Sequence, residues 1–227
     1  MQEIKKTESL CPECLKVIAA TIYEEGGKVY LKKTCTQHGE YTDTYWGDIR
    51  QYIRALEYDH MGTKLNNPRT TVAKGCPYDC GVCSEHKSHT VLAIIDVTNR
   101  CNLRCPICFA HAGAAGYLYE PTQEQIGLML KGLRANSPVA PPAIQFSGGE
   151  PTVREDLPDL VRMAKEAGFD HVEVNSNGLR MAESVEYCRT LKEAGVSTVY
   201  LQFDGVTPKP YLVARGLDLL PFKMKAL

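Results

Sequence analysis

Three cysteines spaced C-x3-C-x2-C, at Cys101, Cys105 and Cys108, follow directly on the apolar run Val91 to Thr98. The run is short, rich in β-branched residues and bounded by polar ones, the pattern of a buried strand. Three thiolates can hold three corners of a cubane iron–sulfur cluster and leave the fourth iron open. A cluster closed by four cysteines mostly moves electrons. An open metal position can bind and activate a substrate, a contrast also seen between catalytic and structural zinc. In a loop at the carboxyl end of a strand, these thiols stand where α/β barrels place their chemistry. The feature points to an enzyme.

At 227 residues the chain can hold one or two domains with a real core. A formal net charge of −1 and a pI near 6.6 give no basic field of the kind that draws nucleic acid. No apolar run approaches the roughly 18 residues of a membrane span, and Met1 to Lys6 does not open a signal peptide. A cytoplasmic protein with at most peripheral membrane contact is expected. Of the 10 cysteines, all but Cys188 lie in or beside a cluster, which argues for metal in a reducing compartment. Cys188, with Val185 and Leu191 three residues to either side, reads as a buried structural cysteine.

Three segments follow one another, with expected bounds of 1–65, 66–89 and 90–227. The first holds Cys11-Pro-Glu-Cys14, a candidate hairpin, then Cys35 and His38. Val17 to Tyr23 and Lys28 to Thr34 are strand-like, and Glu24-Glu-Gly-Gly27 is a turn. A hairpin between two ligand pairs gathers four ligands on one ion, as in zinc ribbons and rubredoxin-like modules. Three sulfurs and an imidazole suit Zn²⁺ well, with Fe the other possibility. Such an ion serves to fold a small module. Trp46, Tyr41 and Tyr45 lie on a further strand-like stretch. From Asp48 to Tyr58, Ile49, Tyr52, Ile53 and Leu56 recur at helical spacing.

After the linker-like Lys64 to Arg69, the second segment repeats C-x3-C-x2-C at Cys76, Cys80 and Cys83. No apolar strand leads into it, so it suits an auxiliary cluster rather than a second strand-end site. His86 and His111 each follow a third cysteine by three residues. An imidazole on the later cluster would close its open iron, and neither histidine is taken as a firm ligand.

The third segment alternates strand and helix: a helix from Thr122 to Asn136, then strands at Ala143–Ser147, His171–Asn175 and Thr198–Phe203, with helices at 155–167 and 183–194 between them. Each strand ends in polar residues, respectively Gly148-Gly149-Glu150-Pro151, Ser176-Asn177-Gly178 and Asp204-Gly205. A parallel βα sheet gathers its ligand site at such tips. Paired glycines let backbone approach a ligand closely, and Glu150 beside them is a fixed acceptor for an ammonium group.

Taken together, Cys101-x3-Cys105-x2-Cys108 and Ser147-Gly-Gly-Glu-Pro151 resemble the radical S-adenosylmethionine (SAM) superfamily, over about Val91 to the end. The Cys11/Cys14/Cys35/His38 module and the stretch Cys76 to His89 narrow the resemblance to the archaeal tetraether lipid synthases and their relatives, class D pterin methyltransferases. The resemblance implies a fold of the α/β class, a partial (βα)6-type radical SAM barrel with about four βα units, preceded by a zinc-ribbon or rubredoxin-like module. It implies that Cys101, Cys105 and Cys108 ligate a [4Fe-4S] cluster whose open iron is chelated by SAM. Glu150, with the Gly148–Gly149 backbone, would hold the SAM amino group. Asn175 and Asp204 would lie near the ribose or the substrate, and Cys76, Cys80 and Cys83 would hold an auxiliary [4Fe-4S] cluster. Ile107 stands where the superfamily usually carries an aromatic beside the adenine.

In such an enzyme the cofactor does the hard step by giving a 5′-deoxyadenosyl radical, while the protein delivers the electron, aims the radical and excludes quenching partners. An electron donor such as ferredoxin or flavodoxin is expected. The expected reaction is C–C coupling of isoprenoid lipid chains in tetraether lipid synthesis. The alternative is radical methylation of a pterin-type small molecule, and a closed-cluster electron carrier is the reading from another class. The superfamily barrel typically has six strands where four are legible here, and the fourth would be left as an open edge. The chain is therefore expected to be the N-terminal part of a longer protein, without its substrate site.

Overall fold

A computed structural model describes residues 1–60, 62–76, 78–79, 81–112 and 114–227 as two compact units. The first comprises Met1–Lys64 and Pro68–Ser88, the second Leu65–Asn67 and His89–Leu227.

In the first unit, strands β1 (Gln2–Leu10), β2 (Val17–Glu25), β3 (Lys28–Cys35) and β4 (Gly39–Trp46) form an antiparallel meander in chain order. Glu25 pairs with Lys28 across a two-residue turn whose glycines, Gly26 and Gly27, have φ of +60° and +78°. A hairpin of this kind needs positive φ at both central positions, which glycine adopts without strain. The β1–β2 and β3–β4 connections lie at the other end of the meander, and this brings Cys11 and Cys14 beside Cys35 and His38. Helix α1 (Ile49–Leu56) is capped by Asp48, whose carboxylate accepts from the backbone N–H groups of Arg50 and Gln51. Tyr52 is buried with Ile22 and Val29, while Ile49 and Leu56 pack at the margin. Ile53 is exposed, so the apolar stripe is narrower than its spacing suggests.

The second unit is a four-stranded parallel sheet in chain order, β5 (Leu92–Thr98), β6 (Ala143–Gly148), β7 (His171–Ser176) and β8 (Thr198–Leu201). Helices α2 (Gln123–Arg134), α3 (Leu157–Glu166), α4 (Leu179–Glu183) and α5 (Val185–Ala194) fall between the strands, and α6 (Pro208–Arg215) and α7 (Leu220–Ala226) follow β8. Thr122 starts α2 with a reciprocal capping box to Gln125. The core lies on one face of the sheet: Ile95 and Val97 of β5, Ile144 and Phe146 of β6, and Val172 and Val174 of β7 meet Ile126, Leu130, Leu160, Val161 and Leu191 from the helices. Each such buried side chain contributes roughly 2 kcal/mol. The opposite face of β5 exposes Ile94 and Asp96. It is not the two-sided buried strand its composition suggests, because helices cover one face only. The result is the strand-and-helix half of a barrel with its strand ends aligned at one rim.

Candidate functional site

The turn after β6 is pressed against the start of the cysteine loop. Gly149 N–H donates to Thr98 O at 2.7 Å and Glu150 N–H to Arg100 O at 2.9 Å. A Cβ on Gly148 would stand 2.2 Å from Thr98 O, and one on Gly149 2.2 Å from Arg100 O. The close approach that needs these glycines is therefore to the chain's own backbone, and it locks the cysteine loop to the Gly-Gly-Glu turn.

Glu150 is 1% exposed, and both of its oxygens are engaged. Oε1 accepts from Thr152 Oγ1 at 2.6 Å, Thr152 N at 3.2 Å and Ser176 Oγ at 2.7 Å, and Oε2 accepts from Asn177 N at 2.7 Å. Four donors from two turns fix the carboxylate and keep a free acceptor direction on Oε2. Asn177 is the residue that sequence reasoning missed at this strand end. Besides its N–H, its side chain donates to Asn102 Oδ1 at 2.7 Å, and Leu179 N donates to its Oδ1. It thereby ties the β7 tip to the loop between Cys101 and Cys105. Asn175, the expected site residue, donates to Ser147 Oγ at 3.2 Å and lines the same cavity.

A cavity of about 140 Å³ is bounded by Cys101, Cys105 and Cys108 on one side and by Gly148, Gly149, Glu150, Asn175 and Asn177 on another. Among the described residues lining it there is no fourth thiol and no imidazole. Ile107 and the fully exposed Phe109 also border it. Burial pushes the Cys101 thiol up from its ordinary range, against a lowering hydrogen bond from Leu103 N–H. Three soft thiols from one loop facing a fixed carboxylate suit an iron–sulfur cluster with one open corner and an ammonium-bearing ligand above it.

Asp204 does not present a free carboxylate. Arg215 grips it through two parallel bonds, Nε to Oδ2 at 2.9 Å and Nη2 to Oδ1 at 2.7 Å, and Gln202 donates to Oδ2 as well. The guanidinium, with burial opposing it, holds the Asp204 carboxyl below its usual range. Arg215 and Gln202 themselves reach the cavity, so Asp204 lies one step behind the lining. Tyr211, fully buried, fixes this loop by donating to Gly205 O at 2.9 Å. Neither Arg215 nor Tyr211 had a sequence signal beyond an unassigned stretch after the last strand. A third anchor, Arg154, is 5% exposed and donates to Val97 O, Pro121 O and Asp156.

In the first unit the ligand atoms of Cys11, Cys14, Cys35 and His38 all lie within 4.8 Å of one another. Cys35 Sγ to His38 Nδ1 is 3.4 Å, Cys11 Sγ to His38 Nδ1 3.6 Å and Cys14 Sγ to Cys35 Sγ 3.9 Å. A tetrahedron with zinc–sulfur bonds has edges of about 3.8 Å, so the four atoms already outline one. The backbone N–H of Gln37, then the His38 ring, hold the Cys35 thiol down at about 6, which favours the thiolate a metal needs. Of the other set, Cys76 is exposed and Cys83 half-buried, bordering a cavity of about 900 Å³ in the same unit. Cys80 lies outside the described residues. Asp79 shapes that segment, its Oδ2 accepting from the N–H groups of Ala73, Lys74 and Gly75. His86 meets Ser88 Oγ at 3.1 Å.

The model of the radical SAM superfamily matches residues 95–219, more than half of the chain, and the chain belongs to that superfamily. Membership implies a [4Fe-4S] cluster and SAM. A second model, described as the HMPTM N-terminal zinc ribbon domain, matches residues 3–47, so the antiparallel module is a zinc ribbon. Among curated proteins, 7,8-dihydro-6-hydroxymethylpterin dimethyltransferase of Methanocaldococcus jannaschii is 56% identical over 223 residues, which is 98% of this chain and 44% of that protein. Fe-coproporphyrin III synthase of Methanosarcina barkeri is 35% identical over 120 residues, 53% of this chain and 29% of that one. Among solved structures, methylornithine synthase matches 61% of this chain and 40% of its own at 16% identity, with a TM-score of 0.48. The chain thus spans under half the length of these relatives. The first of them corrects the expectation of lipid-chain coupling: a protein 56% identical along almost the whole chain is named for a pterin, not for a tetraether lipid. Among the described residues no helix is long and apolar enough to cross a membrane.

Proposed function

We propose that this chain carries the cofactor-binding part of a radical SAM methyltransferase whose substrate is a reduced pterin. The observation that carries the reading is the 56% identity, along 98% of the chain, to a pterin dimethyltransferase. A zinc ribbon described for the same group at residues 3–47 supports it.

Within that reading Cys101, Cys105 and Cys108 hold the cluster, and Glu150 receives the SAM amino group on Oε2 beside the Gly148–Gly149 turn. Arg215 offers a guanidinium to a carboxylate, Asn175 and Gln202 offer hydrogen bonds, and Asp204 orients Arg215. Cys11, Cys14, Cys35 and His38 hold zinc, and Cys76, Cys80 and Cys83 hold an auxiliary cluster. A [4Fe-4S] cluster held by these thiols would supply one-electron reductive cleavage of SAM and, through it, the power to abstract hydrogen from an unactivated C–H. The chain's own task is to fix the thiols and the carboxylate relative to each other, and its Gly-Gly turn, Asn177 bridge and Arg154 anchor do this.

The test is anaerobic incubation of the full-length protein with SAM, dithionite and 6-hydroxymethyl-7,8-dihydropterin, following 5′-deoxyadenosine and pterin mass by liquid chromatography. Pterin-stimulated cleavage of SAM, abolished by Cys105→Ala, is the expected result. Cleavage indifferent to any pterin would refute the substrate, and no cleavage with full iron loading would refute the cofactor assignment.

A further inference from the structure

Lys223 is a buried charge for which the reading above has no task. It sits in α7 at 0% exposure, and its ammonium donates to the carbonyl oxygen of Asn177. That oxygen belongs to the Asn177–Gly178 peptide, whose N–H at Gly178 donates to Ser176 Oγ at 2.9 Å. Ser176 Oγ donates in turn to Glu150 Oε1 at 2.7 Å. Ammonium, peptide, hydroxyl and carboxylate form one directed chain in which each donor is polarised by the one before it.

Two further observations give the chain a purpose. A buried ammonium is among the costliest groups a fold can keep, and an apolar side chain of the same length would fill its place at less cost. Burial pushes the Lys223 ammonium down from its ordinary range, and the nearby negative charges of Asp204 and Glu150 oppose this without cancelling it. Glu150, for its part, is buried with four neutral donors and makes no direct ion pair among the described residues. The turn between the two charges has no slack. Gly178 has φ +78°, and a Cβ there would stand 2.4 Å from Leu201 Cδ1 and 3.4 Å from Ala226 Cβ, so β8 and α7 press on it together. Lys223 is not among the residues lining the cavity, so it reaches Glu150 from behind and does not compete for the ligand.

We propose that Lys223 is a positioning residue for Glu150, acting through the Asn177–Gly178 peptide and the Ser176 hydroxyl to keep that carboxylate aimed at the ammonium group of an amino-acid-type cofactor. This rests on the assignment of Glu150 to the SAM amino group. It makes α7 part of the subsite although no residue of that helix lines the cavity.

The test measures binding to the anaerobically reconstituted protein by equilibrium dialysis, with SAM and with 5′-methylthioadenosine, which lacks the amino-acid part. Lys223→Gln keeps a donor for Asn177 but no charge, Lys223→Met removes both, and Ser176→Ala cuts the same chain one link nearer Glu150. Each single change is expected to weaken SAM binding about tenfold and to leave 5′-methylthioadenosine unchanged. Combining Lys223→Gln with Ser176→Ala adds little, because both break one path. Equal losses for both ligands would mean a structural role only and overturn the proposal. Unchanged SAM affinity in Lys223→Gln and Ser176→Ala, with affinity lost in Glu150→Gln, would overturn it too. Unchanged affinity in Glu150→Gln would instead overturn the assignment of Glu150. If Lys223→Met does not load iron, the Gln and Ser176→Ala variants decide.

Discussion

Replacing Gly149 by alanine tests whether the Gly-Gly-Glu turn and the cysteine loop are one rigid piece. Gly149 does not have the positive φ of Gly148, so alanine brings no backbone strain and the whole effect is collision. The new methyl would stand 2.2 Å from Arg100 O, 2.7 Å from Arg100 C and 2.9 Å from Asn99 O. All three are backbone atoms, which cannot rotate aside, so the loop must retreat by roughly one ångström to restore ordinary contact. That movement breaks the bonds from Gly149 N to Thr98 O and from Glu150 N to Arg100 O, now 2.7 and 2.9 Å. Two backbone hydrogen bonds at about 1 kcal/mol each, with about 1–3 kcal/mol for overpacking, give a loss of about 3–5 kcal/mol. Cys101 follows Arg100 directly, so the same shift carries the first thiol away from Glu150. Urea unfolding of the metal-free protein reads the stability, and iron per chain after reconstitution reads the loop. Gly127→Ala in α2 is the control. Its methyl would meet only the flexible Met163 Cε at 3.2 Å, and helix propensity favours it by up to about 1 kcal/mol. Stability of Gly149→Ala within about 1 kcal/mol of the parent, together with full iron loading, would refute the reasoning.

Arg154→Met leaves Val97 O and Pro121 O without their buried donor, now 2.9 and 2.7 Å away, and calorimetry should show a loss of about 3 kcal/mol, or a midpoint lower by about 6–12 °C. The guanidinium also holds the Asp156 carboxyl below its usual range. That part of the stability is therefore complete above the unfolded value near pH 4 and lost as pH falls through the folded one, so the variant's stability should be flatter with pH below about 4. Stripping metal with a chelator should melt the β1–β4 sheet, because among the described residues its buried apolar cluster is only Ile22, Val29 and Tyr52, and an unchanged circular dichroism melt in chelator would contradict this. Arg215→Lys keeps the charge but not the two parallel bonds to Asp204, and SAM affinity measured by dialysis should fall about three- to tenfold.

Strands β5 to β8 were legible from apolar residues bounded by polar tips, the grouping of Cys101, Cys105 and Cys108 from their spacing, and the hairpin turn of the ribbon from a glycine pair. What escaped has no such signature. β1 reads Gln-Glu-Ile-Lys-Lys-Thr-Glu-Ser-Leu, an edge strand that buries little and is held by its pairing with β2, so its sequence is that of a soluble tail. Helix α4 is five residues entered from a left-handed glycine, too short for any periodicity to show. Asn177, Arg154, Arg215 and Lys223 act across separations in sequence of up to 75 residues, and nothing in the few residues around each one announces its partner. The thiols and the Gly-Gly-Glu turn that line the cavity sit on recurrent local frames, whereas the residues that hold those frames in place are chosen by the tertiary fold. That difference has a consequence for Asp204. At a strand tip its carboxylate looks like a ligand contact, yet both arms of the Arg215 guanidinium hold it, and it is the arginine that lines the cavity. A strand-end acid therefore identifies a site without fixing which member of its pair faces the ligand, and only the direction of the second partner decides it.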